Sequence, residues 1–243
     1  MLVKKTVAII FGLSILGAAY FLAHAYKTRG QSHGTVSVTG LGSVNFESDE
    51  ILWKATYTVK NKDLTSAFEK IKKDRAAVEA YLLEQGIAPE EVSFQQVDVR
   101  EEERSIYSAG RYVGSEFEGY SLSQSVIVSS KMLDLVSKTS REISELLNQG
   151  IQIHSNQPEY YYSDLDALKL NLIEKASANG RTRAEQIAQH SKSDLRSLKS
   201  ARLGVFQILG QNSGESFSWS GTFNTANRYK TASITVKMEF EVD

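Results

Sequence analysis

The sequence predicts an α+β protein: a single N-terminal transmembrane helix, then a ferredoxin-like split βαβ sheet unit extended by a third long helix and C-terminal strands. Three observations carry this expectation. An uncharged apolar run from Thr6 to Tyr26 stands at the front of the chain. Between residues 51 and 155, two-residue alternation and helical spacing exchange places in the order strand, helix, strand, strand, helix, strand, the order of a split βαβ unit. Beyond that lie one long helical pattern and one clean alternating tail.

The apolar run follows Lys4 and Lys5 and is 21 residues long, about 31 Å as a helix against a hydrocarbon core of about 30 Å. It predicts one membrane crossing, through residues 6–26. It exceeds the roughly 7 to 15 residues of a signal h-region, and Tyr20, Phe21 and Tyr26 read as interfacial aromatics. Ala23-His24-Ala25 has the small-x-small form that signal peptidases accept, so the alternative is cleavage after Ala25 and release. Lys27 and Arg29 nearly balance Lys4 and Lys5, but the amino terminus adds a charge to the short side. That side stays cytoplasmic, and the rest of the chain faces out. Residues 1–30 are thus read as anchor (or uncleaved signal) and linker, and 31–243 as one extracytoplasmic domain.

Within the domain, VSVTGLGSV begins strand-like and breaks at Gly40 and Gly42, read as a bulge or bend. In ILWKATYTVK, Ile51, Trp53, Ala55, Tyr57 and Val59 alternate with polar residues, which makes a half-buried strand. Leu64, Phe68, Ile71, Val78 and Leu82 then fall at helical spacings, capped by Asn61 or Asp63 and stopped by Gly86. VSFQQVDVREEER returns to strand character, followed by a hairpin at SAGRYVGSEFEG and a strand from Tyr120 to Ser129. Met132, Val136, Ile143 and Leu147 mark a second helix that ends at Gly150, before the short strand IQIHS. Two helices are expected to cover one sheet face. Asp164 or Asp166 caps the third helix, with Leu168, Leu172, Ala176, Ile187 and Ala188 on its apolar side. A strand at Leu203 to Leu209, a loop from Gly210 to Asn227 and a terminal strand alternating Ile234, Val236, Met238 and Phe240 complete the chain. That last strand is expected within the same sheet.

Composition bounds the function. Beyond the four flanking cations, 24 Lys plus Arg face 29 Asp plus Glu, an acidic balance that disfavours nucleic acid and anionic lipid surfaces. With no cysteine, disulfides, zinc-thiolate sites and thiol nucleophiles are excluded. A Ser-His-Asp arrangement would need His33, His154 or His190, and no G-x-S-x-G accompanies them. Glu101, Glu102, Glu103 and Arg104 read as a solvated strand end, because consecutive carboxylates on an extended chain point to opposite faces. Gly40 and Gly42 lack the third glycine and helix start of a dinucleotide fingerprint. No catalytic residue, metal site or cofactor is expected. The unusual features are aromatic: Tyr160, Tyr161 and Tyr162 in one run, and Phe217, Trp219, Phe223 and Tyr229 through the Gly- and Ser-rich loop. The first six are candidate interface residues, because a rigid ring with a polar tip suits a docking surface.

VSVTGLGSV, DEILWKATYTV, LLEQGIAPEEVSF, the block from SDLDALKLNLIEKASANGRTRAEQIAQHS to GVFQILGQNS, and TASITVKMEF resemble the bacterial SIMPL-domain family. The likeness covers residues 35 to 242 and looks close to the family's membrane-anchored branch. It implies an α+β fold, residence in the cell envelope, a large ring-like or channel-like assembly in at least one member, and a loose link to stress tolerance. It carries no catalytic residue over. The expectation is a non-enzymatic, self-associating protein of the bacterial inner membrane, single-pass with its domain in the periplasm. The alternative function is a periplasmic small-ligand-binding module, with a pocket between the sheet and the third helix.

Overall fold

Ile51, Trp53, Ala55, Tyr57 and Val59 fall on one face of a strand, and in the computed structural model that face is the floor of the main core. The structure describes residues 2–29 and 34–243, with the side chains of 12–26 in the first stretch. It has mixed helices and sheets: α1 (Leu2–Arg29), β1 (Gly34–Glu47), β2 (Glu50–Asn61), α2 (Leu64–Glu84), β3 (Val92–Phe94), β4 (Asp98–Ser108) and β5 (Arg111–Ser130) come first. Then follow α3 (Leu133–Glu142), β6 (Gln152–Ser155), β7 (Glu159–Tyr161), α4 (Leu165–His190), β8 (Leu195–Leu203), β9 (Gln207–Gly210) and β10 (Tyr229–Val242). These residues divide into two compact units.

One unit comprises residues 43–172 and 205–234. Its sheet runs β3-β5-β2-β6, with β4 also on β5 and β7 also on β2, and every pairing is antiparallel. Helices α2 and α3 pack on β2 and β5. Trp53 and Tyr57 are fully buried there with Leu82, Val126 and Val136, each large apolar side chain contributing roughly 1.5–3 kcal/mol by leaving water. The polar tips are satisfied. Trp53 Nε1 donates to Ser155 Oγ at 3.0 Å, and that hydroxyl donates to the Ser140 carbonyl at 2.7 Å, tying β2, β6 and α3 together. The Tyr57 hydroxyl donates to Gln124 Oε1, and burial holds its pKa well above the ordinary tyrosine value. Asp63 caps α2 through hydrogen bonds from the Ser66 amide (2.8 Å) and hydroxyl (2.7 Å), and Gly86, at φ 91°, takes the left-handed turn that ends it.

Strands β4 and β5 continue past this core as a two-stranded arm. From Tyr120 to Ser130, β5 lies beside β2, whereas residues 111 to 119 pair with β4 alone. Ala109 and Gly110, at φ 46° and 76°, form the turn, the paired positive dihedrals that match strand twist. Register shifts interrupt the ladder at Glu102/Glu103 and Ile106/Tyr107. Ile106, Tyr107, Tyr112, Val113 and Phe117 on the arm are all exposed.

The other unit comprises residues 1–42, 173–204 and 235–243. Here β10 lies between β1 and β8, and Val236, Met238 and Phe240 of β10 are buried, as are Val38, Ala176, Ala184 and Ala188. Gly40 of β1 meets Gly180 of α4 backbone to backbone. A Cβ at residue 40 would fall 2.0 Å from the Ala176 carbonyl oxygen and 2.6 Å from the Gly180 nitrogen, so no side chain fits. The Leu41 amide donates to Asn179 Oδ1 (3.1 Å) and the Arg183 guanidinium to the Thr39 carbonyl (3.0 Å) beside that contact.

Five expectations are corrected. Among the described residues, no helix is long and apolar enough to cross a membrane. Residues 6–11 of the expected span lie outside the described side chains. The expected transmembrane helix is therefore withdrawn from the fold. Strand β1 runs unbroken through Gly40 and Gly42, and Gly40 is a close-packing position. The terminal strand belongs to a second, four-stranded sheet of β1, β10, β8 and β9, and the strand expected at Leu203–Leu209 is divided into β8 and β9 around Gly204, where a Cβ would strike Thr235 Oγ1 at 2.3 Å. The helix stripes also turn: Phe68, Met132, Leu147 and Ile187 are exposed, while Ala67, Leu133, Leu146 and Ala184 are buried in their place.

Candidate functional site

The loop between β9 and β10 is rich in Gly, Ser and Asn, a composition that supplies little apolar surface to pack, so its order must come from polar contacts. Gln207, buried on β9, provides the first set: its Nε2 donates to the Ser218 carbonyl (2.6 Å) and its Oε1 accepts from the Thr222 amide (2.8 Å). Glu215 provides the second, accepting from the Gly210 amide (2.8 Å), Asn224 Nδ2 (2.5 Å) and Ser213 Oγ (3.3 Å). The Gly210 amide and then the Asn224 side chain hold its carboxyl below the usual glutamate range. Asn224, itself buried, adds reciprocal bonds with Asn227, both at 2.9 Å. Backbone bonds between Ile208 and residues 222 and 224 lay the returning chain against β9. The result is a compact Ω-type loop fixed at its base.

The fixed base leaves the tip to solvent. Trp219 is 99% exposed and Phe217 69% exposed, although indole and phenyl rings are the side chains that gain most from burial. Phe223 is 47% exposed and sits over the Lys230 ammonium at 6.0 Å. Lys230 is 1% exposed and donates to the Tyr160 carbonyl. Burial lowers its pKa to about 8.

The three tyrosines separate from the loop aromatics in role. Tyr160 packs on the main core, its amide donates to the Thr225 carbonyl at 2.7 Å and its hydroxyl to Ser137 Oγ at 3.4 Å. Tyr161 donates to Glu159 Oε2, and the Tyr162 ring meets Phe46 edge-on at 5.0 Å. All three are half-buried. The structure thus brings Tyr160 and Phe223 around Lys230 and leaves Phe217 and Trp219 projecting. Sequence reading missed Lys230, because a lysine in an alternating strand reads as a solvent-facing residue. A signal was present: it breaks the alternation, which places it on the same side as Ala232 and Ile234.

A second polar cluster lies at Arg228, which donates to Glu47 Oε1 (2.6 Å) and to Asp134. Asp134 and Glu47 raise the Arg228 pKa further, and Arg228 lowers that of Asp134. Each charge here already has its counter-ion. A surface cleft of about 490 Å³ lies beside β1 and α4, lined by Val38, Thr39, Asn179, Thr182, Arg183 and Ile187, the place expected for a ligand pocket. Its one guanidinium is committed to the Thr39 carbonyl. His154 is exposed on β6 and His190 exposed at the end of α4, and His33 lies outside the described residues. Glu102 binds Lys60 (2.8 Å), Glu103 accepts from Ser115 (2.6 Å) and Arg104 binds Glu116 (3.0 Å). Among the described residues no three His, Asp or Glu side chains come together as metal ligands.

A family model matches residues 36–241: SIMPL, described as a protein of unknown function (DUF541). No curated protein matches the chain.

Proposed function

The chain belongs to the SIMPL family, and from that premise we propose a non-enzymatic protein of the bacterial cell envelope that works by contact, associating with copies of itself and with protein partners. The observation that carries this reading is Trp219, held fully in solvent at the tip of a loop whose base is fixed by Gln207, Glu215 and Asn224. A floppy loop would collapse its rings onto the nearest apolar surface. A braced one that keeps them out retains its indole for another molecule, at low entropic cost to binding. The perturbed groups also favour a non-enzymatic role: Tyr57 and Lys230 point inward and are spent on Gln124 and a backbone carbonyl.

The test is the mass of the assembled protein. Light scattering on the full chain should give particles larger than a monomer. Changing Phe217 and Trp219 together to serine should shrink them without moving the unfolding midpoint. A strict monomer at high concentration, or an unchanged mass in the double variant, would remove the role assigned to the loop.

We further place the domain on the periplasmic side, released by cleavage after Ala25, a site of acceptable small-x-small form. Mass spectrometry of protein from cells should then find a chain that begins at Tyr26, and recovery of intact Met1 protein alone would sink this assignment.

A further inference from the structure

Among the described residues, strand β4 pairs with β5 and with no other strand. Its far edge, Asp98 to Ser108, presents a row of backbone donors and acceptors that meet no other described strand, the condition under which a sheet accepts another strand. The arm also needs support, because a two-stranded ribbon exposed on both faces is marginal in water.

The side chains specify what the edge accepts. Alternate residues of a strand share a face, and one face of β4 reads Asp98, Arg100, Glu102, Arg104. The charges alternate in sign. A series of four such charges is complementary to its own reverse. We propose that two copies of this chain join edge to edge along β4, antiparallel about Glu101, with Asp98 opposite the partner's Arg104 and Arg100 opposite the partner's Glu102, each contact occurring twice. The inference rests on the self-association read above and gives it a surface and a register.

The register at Glu101 matches the most charges, since centres at Val99 and Glu103 keep only two of the four attractions. Side chains stay on their face only if the symmetric pairing is recentred by whole residues, and the neighbouring centres fail. Centred on Arg100, the pairing sets Asp98 against the partner's Glu102; centred on Glu102, it sets Arg100 against the partner's Arg104. Both oppose like charges, which destabilises a cross-strand pair. On the other face the proposed register sets Glu101 against the partner's Glu101, one exposed repulsion against four attractions. In a single copy these heads pair on their own sheet, Arg100 with Asp98 at 2.8 Å, Glu102 with Lys60 at 2.8 Å and Arg104 with Glu116 at 3.0 Å, and the partner's opposite charges would extend these exposed pairs into networks. Pairing would place the two arms in one four-stranded sheet, β5-β4-β4-β5.

Because the chain contains no cysteine, single cysteines report the register directly. With Glu101→Cys in the full chain, the two thiols lie opposite each other at the two-fold, and mild oxidation should yield a covalent dimer. Val99→Cys and Glu103→Cys place each thiol about 13 Å from its copy, four residues along a strand, beyond the roughly 7 Å that a disulfide spans. Their dimer yield should be at least about tenfold lower. In the Glu101→Cys background, Arg100→Glu should suppress cross-linking, and adding Glu102→Arg should restore it. Equal yields at residues 99, 101 and 103, or no restoration by the double swap, would overturn the register. No cross-link at 101 in a chain that light scattering finds oligomeric would overturn pairing through β4 while leaving self-association intact. A monomeric full chain would overturn both.

Discussion

Replacing Gly40 by alanine adds one methyl group and should cost more than most single changes in this protein. The new Cβ would lie 2.0 Å from the Ala176 carbonyl oxygen, and 2.6 and 2.9 Å from the nitrogen and Cα of Gly180. An ordinary contact needs about 3.4 Å, and the opposing atoms are all helix backbone, so α4 must move more than about 1 Å from β1. A gap of about 0.5–1 Å forfeits a quarter to a half of each dispersion contact across it, and the residues affected, Val38, Ala176, Ala184 and Met238, are buried. Overpacking typically costs about 1–3 kcal/mol, and more where backbone cannot give. The unfolded chain returns about 0.4–1 kcal/mol through lost freedom. The net loss is about 1–2.5 kcal/mol, which at a urea slope of about 2 kcal/mol/M lowers the midpoint by about 0.5–1.3 M. Equilibrium urea unfolding followed by circular dichroism measures it. Gly180→Ala is the internal comparison. Its Cβ meets the mobile end of Met238 at 1.9 Å, and a helical Gly→Ala change gains about 1 kcal/mol, so it should stay within about 1 kcal/mol of the parent. A Gly40→Ala midpoint equal to the parent's would refute the argument.

Lys230 titrates at about 8 in the folded chain, below its ordinary 10.5, because it is buried. A base with a lowered folded pKa makes the unfolded state bind more protons between those values, so stability should rise as pH climbs from about 8 to 10.5. The penalty is fully present below pH 8. Lys230→Met should remove that rise in a series of urea midpoints, and retention of the full rise would show that another group causes it. Asp63, whose carboxyl is held below its usual range by the Ser66 hydroxyl and amide, contributes in the opposite direction. Its stabilisation is present above about pH 4 and is lost as pH falls through the lowered folded value. Asp63→Ala should lower the midpoint at pH 7 and have less effect near pH 2, whereas equal effects at both would remove the capping role.

The main core was legible because local signals and tertiary structure agree there. In β2 the alternation from Ile51 to Val59 became the buried face, and Asp63 and Gly86 bound α2 as their chemistry requires. Where the expectation failed, the deciding contact was distant in sequence. Gly40 is a glycine because of Ala176 and Gly180, a fact no window around residue 40 contains. The break between β8 and β9 depends on Thr235 across the sheet. Exposed Phe68 and Ile187 show the same thing at the helix surfaces, since a period of 3.6 fixes a stripe only to within a residue or so, and small Ala67 and Ala184 packed closer. In the candidate site, the aromatics were visible in the sequence but their division was not. Tyr160 was claimed by the core, whereas the bracing of Trp219 depends on Gln207 and Glu215, polar residues that give no local signal.

The 20 residues of β5 are continuous in hydrogen bonding but not in stability. Between Tyr120 and Ser130 the strand is bonded on both sides for much of its length and lies on buried side chains, so its amides should exchange with solvent only when the unit opens as a whole. Between Arg111 and Glu118, in a single copy, it has one neighbour and no core beneath it, so those amides should exchange through local fraying of the arm. One strand therefore carries two opening energies, with Gly119 at the border, where a Cβ would strike the Asn61 carbonyl at 2.8 Å. A protease that cuts near Ala109 would sever the arm's turn and leave both strands of the core in place. The arm can thus be remodelled, clipped or occupied by a partner while the fold that supports it stays shut.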